Sequence, residues 1–371
     1  MEEVKVGIVG LGNVGSGTLA ILAENADQVA LKLGFRLKVA AVCSRSVHAR
    51  EIPAALGPVF KTTDWREVVK HPDVQIVAEL VGGATVAAEI VNGAIQHRKS
   101  VVTANKELMA ACGPEIWERA IQAGINLAME ASVCGGIPIH AVLREGISGD
   151  RVVALLGILN GTCNYILTEM ERRDVPLATV LAEAQKLGYA EADPSADIDG
   201  FDARSKLVLL AALAFGEKIT PSDIFMEGIR RITPLDFRYA RQLKHTIRLL
   251  CGARITPDGL ILSVRPALLP VSTILAGVQG PYNAVWVKGR YGEDTCRVFQ
   301  CWPWDNPSII LRTIGRNSIG VFSSEIGSLT KASSSCCFNF SLAAAAIARA
   351  CSSCSHIGHQ GSGPGGCPQG Y

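Results

Sequence analysis

Short apolar runs alternate with helical patterns along the first 130 residues. Each run has the length and composition of a buried strand, and apolar residues at helical spacing come between the runs. The predicted strands are residues 4–9, 37–42, 76–80 and 100–103, and the helical patterns begin at 18, 86 and 114. This alternation predicts an α/β fold, with a doubly wound parallel sheet of the Rossmann type over residues 1–130.

The pattern changes after residue 131. An apolar run at 152–156 is followed by a helical stretch and an Asp-rich loop, a further helix is predicted at 203–215, and short strand-like runs recur beyond it. These features predict a second α+β domain with a mostly antiparallel sheet over residues 131–295. Residues 296–371, rich in Ser, Cys and Gly, form an atypical tail for which disorder is one interpretation.

The amino-acid composition limits the kinds of partner that the protein is expected to bind. The 36 Lys and Arg residues nearly balance 34 Asp and Glu, so nothing indicates nucleic acid or an anionic membrane surface. No run approaches the roughly 20 apolar residues that span a bilayer, and the N-terminus does not resemble a signal peptide. We therefore expect a cytoplasmic protein with a small-molecule partner and with its 12 cysteines reduced.

A glycine motif directly follows the first predicted strand. Gly10, Gly12 and Gly15 have the spacing at which a tight turn, a close approach to pyrophosphate and helix packing each require glycine. A helix begins after the motif, and its N-terminus favours phosphate. The sequence therefore predicts a dinucleotide site made by Gly10, Leu11, Gly12, Asn13, Val14 and Gly15.

The end of the second predicted strand bears on the choice of cofactor. An acidic residue there would accept hydrogen bonds from an adenosine ribose, but this chain has Cys43-Ser44-Arg45. An arginine without a neighbouring carboxylate suits a 2′-phosphate, so NADP(H) is favoured over NAD(H). The alternative is that Arg45 is an ordinary exposed loop residue.

Four segments together resemble the homoserine dehydrogenase family. The first two segments are TANK, beginning at Thr103, and EASVCGGIPI, beginning at Glu130. The third is GILNGTCNYIL, beginning at Gly157, and the fourth is LGYAEADP…DARSK, from Leu187 to Lys206. The resemblance covers about residues 1–295. It implies NAD(P)H-dependent interconversion of L-aspartate 4-semialdehyde and L-homoserine, in the biosynthesis of threonine and methionine, by a homodimer.

The chemistry of the residues agrees with that resemblance. Hydride delivered to an aldehyde leaves an alkoxide, which needs a proton donor, and a lysine whose pKa falls in a desolvated pocket can serve. Lys206 is the candidate, with Asp202 one helical turn before it. Lys106, after a strand of the parallel sheet, could share the proton relay, and the sequence leaves open which lysine donates.

The resemblance also implies binding roles for other residues. Glu191 and Asp202 match positions that hold substrate, and Asp197 is a further candidate, although a loop-turn role is an equal alternative for it. Thr103, Lys106 and Gly188 match cofactor contacts. A sodium ion is implied at Glu130, Val133, Gly135 and Ile137, where a turn or helix cap is the alternative for the glutamate.

Three alternatives remain open. Cys134 and His140 could indicate aspartate-semialdehyde dehydrogenase, which needs a nucleophilic cysteine and a base. The departure from the family at Cys296 could reflect a shifted reading frame and leave an impaired nucleotide-binding protein. Cys351, Cys354, His356, His359 and Cys367 could instead bind zinc, although their spacing is shorter than in a zinc finger.

Overall fold

The computed structural model describes residues 1–135 and 137–292, which contain two sheets. The first sheet is parallel throughout, with the order β3-β2-β1-β4-β5-β6. Its strands are β1 (Glu3–Val9), β2 (Arg36–Cys43), β3 (Phe60–Thr62), β4 (Ile76–Glu79), β5 (Ser100–Thr103) and β6 (Leu127–Ala128). The helices that accompany it are α1 (Asn13–Leu33), α2 (Trp65–Lys70), α3 (Thr85–Gln96) and α4 (Lys106–Gln122).

Helices cover both faces of this sheet, so its central strands are apolar on both sides. Val6, Ile8, Val77 and Val101 on β1, β4 and β5 are all fully buried. The strand order reverses between β1 and β4, and in such sheets ligands bind in the crevice at the carboxyl ends of the strands. The predicted doubly wound parallel sheet is confirmed.

The second sheet is mostly antiparallel, also as predicted, in the order β11-β7-β9-β10-β8. Only β8 and β10 pair in parallel. Its strands are β7 (Val152–Ile158), β8 (Phe225–Met226), β9 (His245–Thr256), β10 (Gly259–Pro270) and β11 (Ala284–Gly289). The helices of this region are α5 (Ile139–Ala141), α6 (Gly161–Arg173), α7 (Leu177–Lys186), α8 (Ser195–Ile198), α9 (Phe201–Phe215) and α10 (Pro234–Gln242), with a π-helical turn at Val142–Gly146.

Two elements differ from the sequence-based expectation. Helix α4 begins eight residues earlier than predicted, because the Asn105 side chain caps it by accepting the Leu108 N–H, and Pro114 lies inside the helix. Strands β9 and β10 pair along 12 residues each, longer than the predicted runs. Arg248 interrupts the apolar pattern of β9, yet it is buried because Glu171 and three main-chain carbonyls bind its guanidinium.

None of the helices in residues 1–135 and 137–292 combines the length and apolar character that crossing a membrane requires.

Candidate active site

The glycine turn between β1 and α1 uses each glycine differently. Gly10 has φ +105°, and a Cβ there would lie 2.4 Å from the Leu80 carbonyl oxygen. A Cβ on Gly15 would lie 1.9 Å from the Gly10 carbonyl oxygen, so the helix can approach the turn only with glycine there. A Cβ on Gly12 would have no atom within 4 Å, which leaves open space in front of α1. This is the geometry that a pyrophosphate requires: a closed turn, a close helix and an unobstructed approach.

The opposite side of the crevice is built around a buried carboxylate that the sequence reading missed. Glu79, fully buried at the end of β4, accepts the Val81 N–H at 2.8 Å and the Thr103 hydroxyl at 2.5 Å. Burial raises the pKa of Glu79. Asn105 donates to the Gly83 carbonyl at 2.7 Å and so ties together the loops that follow β4 and β5. The Thr103 side chain is therefore committed to the protein and does not face the crevice as a free donor.

Arg45 lies two residues beyond β2 and is exposed. Within the described chain its guanidinium has no ion pair and no side-chain hydrogen bond. The carboxyl end of β2 is where the adenosine ribose lies in dinucleotide-binding folds of this type. The arginine is thus available to a phosphate group at that position.

Two lysines from different parts of the fold share one carboxylate. Lys106, the first residue of α4, lies 2.6 Å from Asp202 Oδ1. Lys206, one turn after Asp202 on α9, lies 2.7 Å from Asp202 Oδ2 and also donates to the Leu159 carbonyl at 2.8 Å. Asp202 is buried, Lys206 is nearly so, and Lys106 is 37% exposed. The structure therefore brings together three of the predicted residues, Lys106, Lys206 and Asp202.

The electrostatics correct one expectation. Burial alone would lower the pKa of Lys206, but the Asp202 carboxylate outweighs burial, and this pKa lies above its usual value. The prediction of a lysine with a lowered pKa was wrong. Burial would likewise raise the pKa of Asp202, but Lys206 and Lys106 hold it well below its usual range. The protein without ligand thus keeps Lys206 as an ammonium and Asp202 as a carboxylate at neutral pH.

Asn160, which the sequence analysis did not single out, connects Asp197 on α8 to this cluster. The Asn160 amide donates to Asp197 Oδ1 at 2.6 Å and to Asp202 Oδ2 at 2.9 Å. Burial raises the pKa of Asp197, and the hydrogen bond from Asn160 opposes that rise. The sequence offered one signal for Asn160: it comes directly before a predicted helix, where asparagine is a common cap.

Glu191 and Gly188 lie in the loop that follows α7. The Glu191 side chain is exposed and has no partner in the described chain, so the structure does not join it to the lysine cluster. Gly188 has φ +78° and ends α7, with its N–H bound to the Gln185 carbonyl. The Tyr189 carbonyl that follows accepts the Thr162 hydroxyl at 2.8 Å, which attaches this loop to α6.

The turn suggested for a sodium ion contains a helix cap. Both carboxylate oxygens of Glu130 accept main-chain N–H groups, from His140 at 2.9 Å and from Ala141 at 3.1 Å. The Ile137 carbonyl accepts the Ile139 N–H at 2.8 Å. No cluster of three or more His, Cys, Asp or Glu side chains suited to a metal occurs in the part of the chain that the structure describes. A cation at this turn would therefore rely mainly on carbonyl oxygens, such as those of Val133 and Gly135, which suit a hard monovalent ion.

The environment of Cys134 and His140 does not resemble a nucleophile with its base. His140 is buried, and its Nε2 has no hydrogen-bond partner. Burial, with a smaller contribution from Arg144, lowers the pKa of His140 to about 3. A base that activates a thiol must accept and hold a proton, and burial disfavours the protonated form of this imidazole.

The hypotheses that concern the tail, a shifted frame after Cys296 and a zinc site from Cys351 to Cys367, lie outside the described residues. So do the last three residues of the predicted second domain.

Two family models match successive parts of the chain. Residues 10–130 match "Homoserine dehydrogenase, NAD binding domain" and residues 138–300 match "Homoserine dehydrogenase". Together the two models span well over half of the chain.

Relatives and solved structures agree with these matches. A homoserine dehydrogenase of Pseudomonas aeruginosa is 44% identical over 289 residues, which are 78% of this chain and 66% of the relative. One from Neisseria gonorrhoeae is 43% identical over 296 residues, 80% of this chain and 67% of the relative. The crystal structure of a homoserine dehydrogenase from Thiobacillus denitrificans superposes with a TM-score of 0.81 at 40% identity, covering 87% of this chain and 74% of that one. The chain thus spans about two thirds of the length of these curated relatives, and it belongs to the homoserine dehydrogenase family.

Proposed function

We propose that the protein interconverts L-aspartate 4-semialdehyde and L-homoserine with a nicotinamide dinucleotide. The observation that carries this proposal is the pair of lysines on Asp202, one from the parallel sheet's α4 and one from α9 of the second region. In this family such an oxidoreductase acts on a CH–OH group, and a cationic pocket next to a dinucleotide crevice suits the alkoxide that forms at that carbon.

The division of work follows from the geometry. Bound NADPH supplies the hydride. Lys206 holds its proton within the buried cluster and donates it to the alkoxide oxygen, a much stronger base than an amine, so the raised pKa of Lys206 does not prevent donation. Asp202 orients both lysines, and Lys106 adds positive charge at the crevice. We assign Glu191 and Asp197 to the substrate's ammonium group, because that group requires carboxylates.

Reduction of NADP⁺ by L-homoserine tests the proposed function. Absorbance of NADPH should rise when purified enzyme, NADP⁺ and L-homoserine are mixed at alkaline pH, and L-serine, which is one carbon shorter, serves as the control substrate. Phosphate-dependent oxidation of the semialdehyde would instead identify an aspartate-semialdehyde dehydrogenase. Binding of NADPH without turnover would identify an impaired nucleotide-binding protein.

A preference for NADP(H) over NAD(H) is part of the proposal and rests on Arg45. Replacement of Arg45 by serine should raise the KM for NADP⁺ about tenfold, because a charge-assisted hydrogen bond is worth about 1.5 kcal/mol or more. The KM for NAD⁺ should stay within twofold. Arg151→Ser is a matched control, since Arg151 is also exposed but precedes β7 in the second sheet. Equal changes for both cofactors in Arg45→Ser would contradict the assignment.

The proposal also includes the division into two domains, the cofactor contacts, a sodium site and the assembly. Residues 1–130 bind the nucleotide through residues 10–15, with Thr103, Lys106 and Gly188 near the nicotinamide, and residues 131–295 carry the substrate site. The turn with Glu130, Val133, Gly135 and Ile137 is proposed to hold sodium through carbonyl oxygens. A cytoplasmic homodimer is the proposed assembly.

A further inference from the structure

Asn160 contacts both buried carboxylates of the site at the same time. It is 4% exposed, and its Nδ2 lies 2.6 Å from Asp197 and 2.9 Å from Asp202. Its Oδ1 accepts the Cys163 N–H at 2.8 Å and so caps α6. An asparagine amide has two N–H groups, and here they bind two carboxylates that belong to different helices.

We propose that Asn160 is a positioning residue for the reaction, which holds the Asp197 carboxylate at a set distance from the carboxylate that orients the two lysines. The inference rests on the proposed function. It goes beyond that function by assigning a catalytic consequence to a residue that touches neither the substrate nor the transferred proton.

The physical reason is repulsion between like charges. Asp197 and Asp202 approach the same nitrogen atom, and two carboxylates this close either separate or share a proton unless donors lie between them. Burial raises the pKa of Asp197, the amide of Asn160 lowers it, and the Asp202 charge raises it further. Without the amide, Asp197 would move away or gain a proton. In either case a substrate ammonium would lose its partner, and the Asp202 side chain would lose one of the contacts that fix its orientation.

Thr162 is a second polar group beside Asp197 and also lowers its pKa, but its hydroxyl donates to the Tyr189 carbonyl at 2.8 Å, and it has one proton where the Asn160 amide has two. The charged and titratable groups around Asn160 and its two carboxylates come from several elements: Lys106 on α4, Cys134 before α5, Cys163 on α6, Asp197 on α8 with Asp199 directly after it, Asp202 and Lys206 on α9, and Cys251 on β9. Both lysines already bind Asp202. The Cys163 thiol donates to the Asp197 main-chain carbonyl at 3.2 Å and stays protonated, because burial raises its pKa.

Capping alone does not explain the choice of residue. Aspartate and serine cap helices about as well as asparagine, since each offers an oxygen to the N–H groups of the first turn. Neither can donate two hydrogen bonds from the same position. Helix capping and carboxylate bridging can therefore be separated by substitution.

The experiment compares Asn160→Asp and Asn160→Ser with the wild type, with kcat/KM for L-homoserine measured from pH 5 to pH 8. In Asn160→Asp, an ionised carboxylate would cap α6 but donate nothing, whereas the protonated acid would still donate one hydrogen bond. The ratio of Asn160→Asp to wild-type kcat/KM should therefore fall as pH rises and reach a loss of at least tenfold at pH 8. Asn160→Ser, which adds no charge, should lose about tenfold without that pH trend. NADPH affinity and Tm should stay near those of the wild type in Asn160→Ser.

Two results would overturn the inference. One is kcat/KM within twofold of wild type in both variants at every pH. The other is a loss of activity in both variants matched by an equal loss of NADPH affinity, which would restrict Asn160 to a folding role. Failure of the proposed function is distinguishable from both, because in that case the wild-type enzyme itself would not oxidise L-homoserine.

Discussion

Replacement of Lys206 by arginine is expected to reduce kcat on the order of 10³-fold, within the range measured for loss of a general acid. In the wild type, the Lys206 nitrogen lies 2.7 Å from Asp202. Arginine keeps a positive charge beside that carboxylate, but a guanidinium stays protonated at every pH of the assay and does not release its proton. The variant therefore tests the role of Lys206 in proton transfer separately from its role in the charge pair with Asp202. Steady-state rates with L-homoserine and NADP⁺ measure the effect, and a Tm close to that of the wild type would show that the fold is intact.

Two further variants complete this prediction. Lys206→Met removes both charge and proton, and it should lose at least as much activity as the arginine variant. Lys218→Arg is the matched control, because Lys218 forms an exposed ion pair with Glu115 at 3.2 Å and should retain full activity. If Lys206→Arg kept a third of the wild-type rate, the proton donor would have to be sought elsewhere, with Lys106 as the next candidate.

Replacement of Asp202 by asparagine is expected to reduce the free energy of unfolding by about 3 kcal/mol at pH 7, since it removes the carboxylate between two ammonium groups. The pKa of Asp202 is depressed in the folded state, so its contribution to stability is fully present above the unfolded pKa of about 4. That contribution is lost as pH falls toward the folded pKa, where a protonated Asp202 resembles asparagine. The stability difference between the two proteins should therefore be constant from pH 8 to pH 5 and should narrow below that.

Urea unfolding at pH 8, 7, 5 and 4 measures this dependence. Asp27→Asn is the matched control, since Asp27 is 84% exposed and pairs with Arg36 on the surface, where such pairs contribute about 1 kcal/mol or less. Activity of Asp202→Asn should also fall, because Lys106 and Lys206 would lose the group that orients them. A stability difference that does not change with pH would argue against a charged Asp202 in the folded protein.

Local patterns were enough to predict the nucleotide half of the fold. The first strand, the glycine turn and the start of α1 are contiguous in the chain, and Gly10 and Gly15 are required by atoms of that turn or of the loop after β4. The composition also separated the patterned residues up to 295 from the tail. Helix α4 was predicted too short, since the structure starts it at the Asn105 cap and contains Pro114 within it.

The site was predicted as a set of residue types and not as an arrangement. Lys206 and Asp202 are one helical turn apart, so their contact follows from helix geometry. Contact between Lys106 and Asp202 joins residues that are far apart in the chain and depends on how α4 meets α9. The raised pKa of Lys206 depends in turn on that packing, since burial and a carboxylate act in opposite directions and only their distances decide which effect dominates.

The sequence by itself determined the family, the parallel sheet with its glycine turn, and the identity of the lysines and carboxylates, because these depend on residues that are neighbours along the chain. Only the tertiary structure decided that Asp202 lies between two lysines, that Glu79 is buried in the crevice, and that Asn160 bridges Asp197 and Asp202. Hydrogen bonds need donor and acceptor within about 3 Å, and charge interactions weaken with distance. The fold alone sets such distances between residues that are far apart in the chain.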